Sequence, residues 1–222
     1  SNKNVLITGG ASGIGKLMGE LVLQKGAKLI IWDINQKNID ETRSQFSKFG
    51  TVVGYNVDVA DIEQVKITAK IVKEEHGSVD VLINNAGIIV GKYFHEHSND
   101  DITKTMNINA NAPMHIALAF LSDMMKQNSG YICNITSSAG LISNPKMAVY
   151  AASKWSVIGW SDSLRLEMNQ LKKNIGVTTV TPYYISTGMF NGVRSIIPLL
   201  KPQKVAYKII KGIEHNRIFV SM

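Results

Sequence analysis

Thr8-Gly9-Gly10-Ala11-Ser12-Gly13-Ile14-Gly15 is the stretch that decides the fold of this chain. A β-branched apolar run at 4–8 leads into it, and a helical pattern at 15–25 leads out. Glycines in such a turn let the backbone approach a pyrophosphate closely. The helix that follows supplies N–H donors and the positive end of its dipole. Thr8, Gly9, Ser12, Gly13, Ile14 and Gly15 are therefore read as a dinucleotide cradle. A glycine-rich turn alone says little; placed between a strand and a helix it is specific.

The rest of the chain repeats that alternation. Val- and Ile-rich strands are predicted at 4–8, 28–33, 51–56, 79–84, 130–136, 176–181 and 217–221. Several are apolar throughout, as parallel strands covered on both faces require. Helical patterns lie between them at 15–25, 36–48, 62–76, 100–126, 149–172 and 202–214, the last opening on Pro202. Repeated β-α-β order predicts an α/β fold: a doubly wound, parallel seven-stranded sheet (Rossmann fold) in a single domain over 1–222. The stretch 182–201 is long for a connection in a compact domain, and such loops are usually functional.

Strand ends carry the next candidates. Asp33 closes the second strand, eighteen residues after Gly15. A carboxylate there can accept a hydrogen bond from a ribose 2′-OH and would repel a 2′-phosphate. No Arg or Lys stands inside the glycine turn, so NAD is preferred over NADP. Asp58 and Val59 end the third strand, where an adenine could lie. Asn84-Asn85-Ala86-Gly87 ends the fourth; Asn85, Ala86 and Gly87 are read as cofactor contacts, and Asn84 as either a strand brace or a contact.

Farther along, Ser137 follows a strand, and Tyr150-Ala151-Ala152-Ser153-Lys154 opens a helix. Tyrosine and lysine four apart share one helix face, one turn from each other. A cation so placed favours the phenolate, which predicts a tyrosine pKa below its reference of about 10.

Taken in order, the Thr8–Gly15 turn, Asn84–Gly87, Asn109, Ser137, Tyr150 with Lys154, and Thr187 after Pro182 resemble the short-chain dehydrogenase/reductase family over essentially the whole chain. That resemblance implies roles. Tyr150 would be the general acid/base. Lys154 would lower its pKa and hold the nicotinamide ribose. Ser137 would hydrogen-bond the substrate oxygen, and Asn109 would hold a water in the proton relay. Ile185 and Thr187 would hold the nicotinamide carboxamide. One departure stands out: the family usually has Pro-Gly after the sixth strand, and here Tyr183 follows Pro182. The run Thr187-Gly188-Met189-Phe190 looks like the branch of retinol and 17β-hydroxysteroid dehydrogenases acting on lipophilic alcohols.

Composition bounds the alternatives. A 222-residue chain that is 45% hydrophobic can bury a large core. Its single cysteine, Cys133, excludes an internal disulfide and falls in a core strand. No apolar run reaches membrane-spanning length and no signal-peptide pattern is present, which predicts a cytoplasmic protein. Five histidines show no metal-ligand spacing, and no metal is expected. A net charge of +7, mildly clustered at Lys201, Lys204, Lys208, Lys211 and Arg217, reads as a solvated helix face rather than a nucleic-acid surface.

Met189, Phe190, Val193, Ile196, Ile197, Leu199 and Leu200 read equally as a lid over an apolar substrate or as a helix packed on the sheet; Arg194 reads as solvated. Apolar residues on more than one face of the 149–172 helix, together with the family's habit of pairing such helices, predict a homodimer or homotetramer. The leading function is hydride transfer between NAD(H) and a secondary alcohol, ketone or aldehyde, with a small lipophilic substrate. Two rivals are a 3-oxoacyl carrier-protein reductase using NADPH and a non-catalytic dinucleotide sensor.

Overall fold

The computed structural model describes residues 3–186 and 199–222. Seven parallel strands form one sheet: β1 (Asn4–Thr8), β2 (Lys28–Asp33), β3 (Val52–Asn56), β4 (Val81–Asn84), β5 (Gly130–Ile135), β6 (Ile175–Thr181) and β7 (Phe219–Ser221). Their order across the sheet is β3-β2-β1-β4-β5-β6-β7. The helices are α1 (Gly13–Gln24), α2 (Gln36–Phe46), α3 (Ile62–His76), α4 (Asn99–Met106), α5 (Ala112–Gln127), α6 (Ala148–Gln170) and α7 (Pro202–Glu214).

Strand alternation feeds two cores. In β1, Val5 and Ile7 face the layer that holds Met18 and Val22 of α1 and Ile209 of α7. Leu6 between them faces the layer of Val72 from α3, Phe120 from α5 and Leu164 from α6. Leu29 and Ile31 against Ile30 and Trp32 repeat the pattern in β2. A sheet buried on both faces needs apolar residues at every position, which explains the unbroken runs. The predicted doubly wound sheet is thus the one observed.

The sheet winds outward from β1 to β3, then crosses back to β4. Loops therefore part at the C-terminal ends of β1 and β4, and the crevice opens there. Both Thr8–Gly13 and Asn84–Gly87 leave the sheet at this point.

One predicted element differs. The 100–126 pattern is a helical path interrupted by a π-helical turn at Asn107–Asn111 between α4 and α5. Pro113 has no N–H for the ladder and its ring crowds the preceding turn, so the path widens just before it. The predicted 149–172 helix starts one residue earlier and stops at Gln170, and a short 3-10 turn, Ser138–Gly140, precedes it.

Candidate active site

The crevice contains a cavity of about 150 Å³, lined by Gly9, Ser12, Gly13, Ile14, Asn85, Ala86, Gly87, Ile135, Thr136, Ser137, Tyr150, Lys154, Pro182, Tyr183 and Ile185. Eleven of these were candidates from the sequence. Ile135, Thr136, Pro182 and Tyr183 were not: nothing in the type of the first three marks them, and Tyr183 stood out only as a departure from the family's glycine; they line the cavity because β5 and β6 end beside it.

The glycine turn has the form a dinucleotide requires. Gly13 has φ +52° and a Cβ there would meet nothing within 4 Å, so the turn faces open space. Gly15 lies underneath, where a Cβ would collide with the Gly9 carbonyl and come to 2.6 Å from Asn85 Nδ2. Ser12 sits at the N-cap of α1 without a side-chain cap bond, and the first turn carries no acidic residue. The helix N-terminus thus offers its N–H groups and dipole to an anion.

Two side chains knit the turn to the β4 loop. Thr8 Oγ1 accepts from the N–H groups of Asn85 and Ala86, both at 3.0 Å. Asn85 Nδ2 donates to the carbonyls of Thr8 (3.0 Å) and Gly9 (3.2 Å). Both residues lie at the expected site, but their side chains hold the protein to itself.

Asp33 does the same from the other side. Its carboxylate accepts from the N–H of Ala11 at 3.1 Å and of Asn35 at 3.1 Å. Asp58 lies in the turn after β3 and accepts from Ala60 N–H at 2.9 Å, while Val59 is packed in the core. Neither lines the cavity. Asn84 is a brace: its Nδ2 donates to Asn134 Oδ1 at 2.8 Å, and Asn134 Nδ2 donates to Ser161 Oγ at 2.8 Å.

Ser137, Tyr150 and Lys154 come together, each less than a tenth exposed. Ser137 lies two residues past β5, its Oγ accepting from Ala139 N–H at 3.1 Å, and it hydrogen-bonds the Tyr150 side chain. Lys154 Nζ donates to the Ile135 carbonyl at 3.2 Å and lies 5.6 Å from the Tyr150 ring centroid. Here the sequence expectation is corrected. Burial pushes the Tyr150 phenol up to about 12, with the Ser137 hydrogen bond opposing and Tyr184 adding to the rise. Burial also brings Lys154 down to about 8. Desolvation penalises both charged forms and outweighs the cation.

Asn109 stands behind this group. Its side chain is clamped to the backbone of Ile88, accepting from the N–H at 2.8 Å and donating to the carbonyl at 2.9 Å. It also donates to Ser153 Oγ at 3.2 Å. Ile89, Met147 and Tyr184 pack around Tyr150. Thr187, Met189, Phe190, Val193, Arg194, Ile196 and Ile197 lie outside the described residues; of the expected lid, Leu200 packs on the core and Leu199 is exposed.

This sheet order, glycine turn and Ser-Tyr-Lys grouping coincide with a family profile described as "short chain dehydrogenase", which matches residues 3–196. The chain belongs to the short-chain dehydrogenase/reductase family. Among curated members, it is 36% identical to epidermal retinol dehydrogenase 2 of Mus musculus over 98% of this chain and 73% of that protein. It is 34% identical to human estradiol 17-beta-dehydrogenase 11 over 97% of this chain and 74% of that protein.

A solved short-chain dehydrogenase/reductase from Burkholderia phymatum, in complex with NAD, superposes with TM-score 0.92 at 26% identity. It is covered over 89% of its length by the whole of this chain. These matches support the retinol and hydroxysteroid dehydrogenase branch and an NAD(P)-dependent oxidoreductase acting on CH–OH groups. Among the described residues, no helix of this short-chain dehydrogenase is long and apolar enough to cross a membrane.

Proposed function

We propose that this short-chain dehydrogenase transfers hydride between NAD(H) and a lipophilic secondary alcohol, ketone or aldehyde. Tyr150 acts as acid/base, assisted by Ser137, Lys154 and Asn109. The observation that carries this reading is the grouping of Ser137, Tyr150 and Lys154 in one cavity with the glycine cradle. When bound, the nicotinamide supplies or accepts the hydride.

The protein's own groups manage the oxygen and its proton. In reduction, Ser137 and Tyr150 donate hydrogen bonds to the carbonyl oxygen as charge develops on it, and Tyr150 gives up its proton. A phenol held up at about 12 is in its acid form at neutral pH, as that step requires. Lys154, still mostly cationic at pH 7, stabilises the phenolate left behind. Oxidation runs the same proton in reverse.

Asp33 supports NAD over NADP. A ribose 2′-OH can share its carboxylate, whereas a 2′-phosphate would meet a buried negative charge already bonded to the turn. Apolar Ile89 and Met147 beside Tyr150, with exposed Leu141 and Ile142 on the loop after Ser137, support a lipophilic substrate. So does the similarity to retinol and estradiol dehydrogenases. Exposed Leu118 on α5 and Trp155 and Leu166 on α6 favour a homo-oligomer through these helices, which light scattering would test.

The deciding experiment follows NADH and NADPH oxidation against diketones, acetoacetyl thioesters, retinal and 17-ketosteroids. NADH turnover on the bulky apolar compounds is expected, and Tyr150→Phe should lose on the order of 10²–10⁴-fold in kcat. Turnover only with NADPH on acyl thioesters would overturn both the cofactor and the substrate reading. NADH binding without turnover would make this a sensor.

A further inference from the structure

We propose that Lys146 and Tyr93 clasp two loops beside the acid/base, and that this clasp positions an apolar wall for bulky carbonyl compounds. The proposal rests on the hydride-transfer reading above. Ile89, on the loop after β4, and Met147, just before α6, pack in one cluster with Tyr150. Tyr93 lies four residues beyond Ile89, and Lys146 immediately precedes Met147. Their side chains meet: Lys146 Nζ sits 4.9 Å from the centre of the Tyr93 ring. The two loops are therefore joined twice, once around Tyr150 and once at the exposed surface.

On the Lys146 side the contact comes with an unusual backbone. Among the described residues, four that are not glycine have positive φ. Asn128, Lys172 and Asn216 follow the ends of α5, α6 and α7, where a left-handed residue commonly closes a helix. Lys146, at φ +64°, instead stands before a helix. A lysine gains nothing locally from that conformation, so its surroundings must hold it there. Across the kink, consecutive side chains part: Lys146 stays exposed, while Met147 is 8% exposed beside Tyr150.

Tyr93 is fixed as well. Its N–H donates to the Glu96 carboxylate at 2.8 Å, and its ring stacks on His95, 6.0 Å between centroids and 12° from parallel. An ammonium over such a ring is drawn to the negative π face. The clasp thus ties the loop bearing Ile89 to the loop bearing Met147. A short diketone reaches Ser137 and Tyr150 and needs no wall. A 17-ketosteroid extends past them onto Ile89 and Met147. Lys146 and Tyr93 are positioning residues for that wall, and only the bulky compound should register their loss.

The test measures kcat and KM with NADH for a short diketone and a 17-ketosteroid. It compares wild type, Lys146→Arg, Lys146→Met, Tyr93→Leu and the double variant Lys146→Met/Tyr93→Leu. Lys146→Met and Tyr93→Leu should each raise KM for the ketosteroid roughly two- to fivefold, the scale of one exposed cation–π contact. Diketone KM and both kcat values should not move. The double variant should be no worse than either single one, and Lys146→Arg, which keeps the cation, should behave as wild type. An unchanged ketosteroid KM in the single variants, or losses that multiply in the double variant, would overturn the proposal. Equal rises for both compounds would also overturn it, since the pair would then act through the fold of the cleft. Wild type that reduces the diketone alone would remove the wall and leave hydride transfer intact. Wild type that reduces neither would sink the hydride-transfer reading itself, and the clasp's role with it.

Discussion

Asn109 Nδ2 donates to Ser153 Oγ at 3.2 Å, and Ser153 Oγ donates to the Tyr150 carbonyl at 2.7 Å. This two-step link ties the π turn before α5 to the first turn of α6. Ser153 is fully buried and Asn109 is 1% exposed, so neither group has water as an alternative partner. The asparagine that the family resemblance assigns to a water relay spends its side chain on positioning.

Asn109→Leu should therefore cost stability as well as rate. The variant keeps the volume and leaves the Ile88 N–H, the Ile88 carbonyl and Ser153 without their partner. Unmade buried hydrogen bonds predict a loss of about 2–4 kcal/mol in urea unfolding. Because the link ends on Tyr150, kcat should fall with little change in KM for the carbonyl substrate. A variant of wild-type stability with unchanged kcat would show that the link is idle.

Asp33 accepts from Ala11 N–H, so it holds the glycine turn before any ribose does. Asp33→Arg, the usual idea for converting NAD preference to NADP, removes that clasp along with the charge. The expected outcome is a poor enzyme with both cofactors and a loss of about 1–3 kcal/mol in stability, since a buried N–H loses its acceptor. Asp33→Asn, which keeps an acceptor oxygen, should retain most of the stability while losing discrimination against NADPH. Efficient NADPH turnover by Asp33→Arg would show that the clasp is dispensable.

The glycines of the turn separate by position. Gly15→Ala would drive a methyl into the Gly9 carbonyl and against Asn85 Nδ2. The turn and the β4 loop must then part, and NADH binding should be lost. Gly13→Ala meets no neighbour and pays only for a positive φ of 52°, about 1 kcal/mol. Its fold should survive, with thermal melting close to wild type. Equal damage from the two substitutions would contradict this account.

Much of this was legible in the sequence because it depends on local pattern. The bounds of β1, β2, α3 and α7 coincide with the predicted 4–8, 28–33, 62–76 and 202–214, where apolar periodicity starts and stops sharply at signals such as the Asp61 cap and Pro202 in the first turn. The π turn was not legible. Pro113 is its only mark in the sequence, and the clamp of Asn109 on Ile88 that holds the turn in place joins residues twenty-one positions apart. The sense of the Tyr150 shift was also hidden. Spacing shows that a lysine lies near a tyrosine, but only the packed structure shows that both are desolvated.

That desolvation makes the last prediction. Lys154 titrates at about 8 in the folded protein against 10.5 for the free group. Below pH 8 it is charged in both states, and the folded state carries the full cost of a buried ammonium. As pH rises from 8 towards 10.5, the folded protein releases the proton while the unfolded chain keeps it, so stability rises. Above pH 10 Tyr150 opposes this, since the folded phenol keeps a proton that the unfolded chain has lost. Lys154→Met keeps the stem and removes the charge. It should abolish turnover yet unfold at higher urea than wild type at pH 7, by up to about 3 kcal/mol. The lost bond to the Ile135 carbonyl offsets part of that gain. The advantage should shrink by pH 10. Wild-type or lower stability of Lys154→Met at pH 7 would mean that the ammonium is well solvated or well paired in the native cleft.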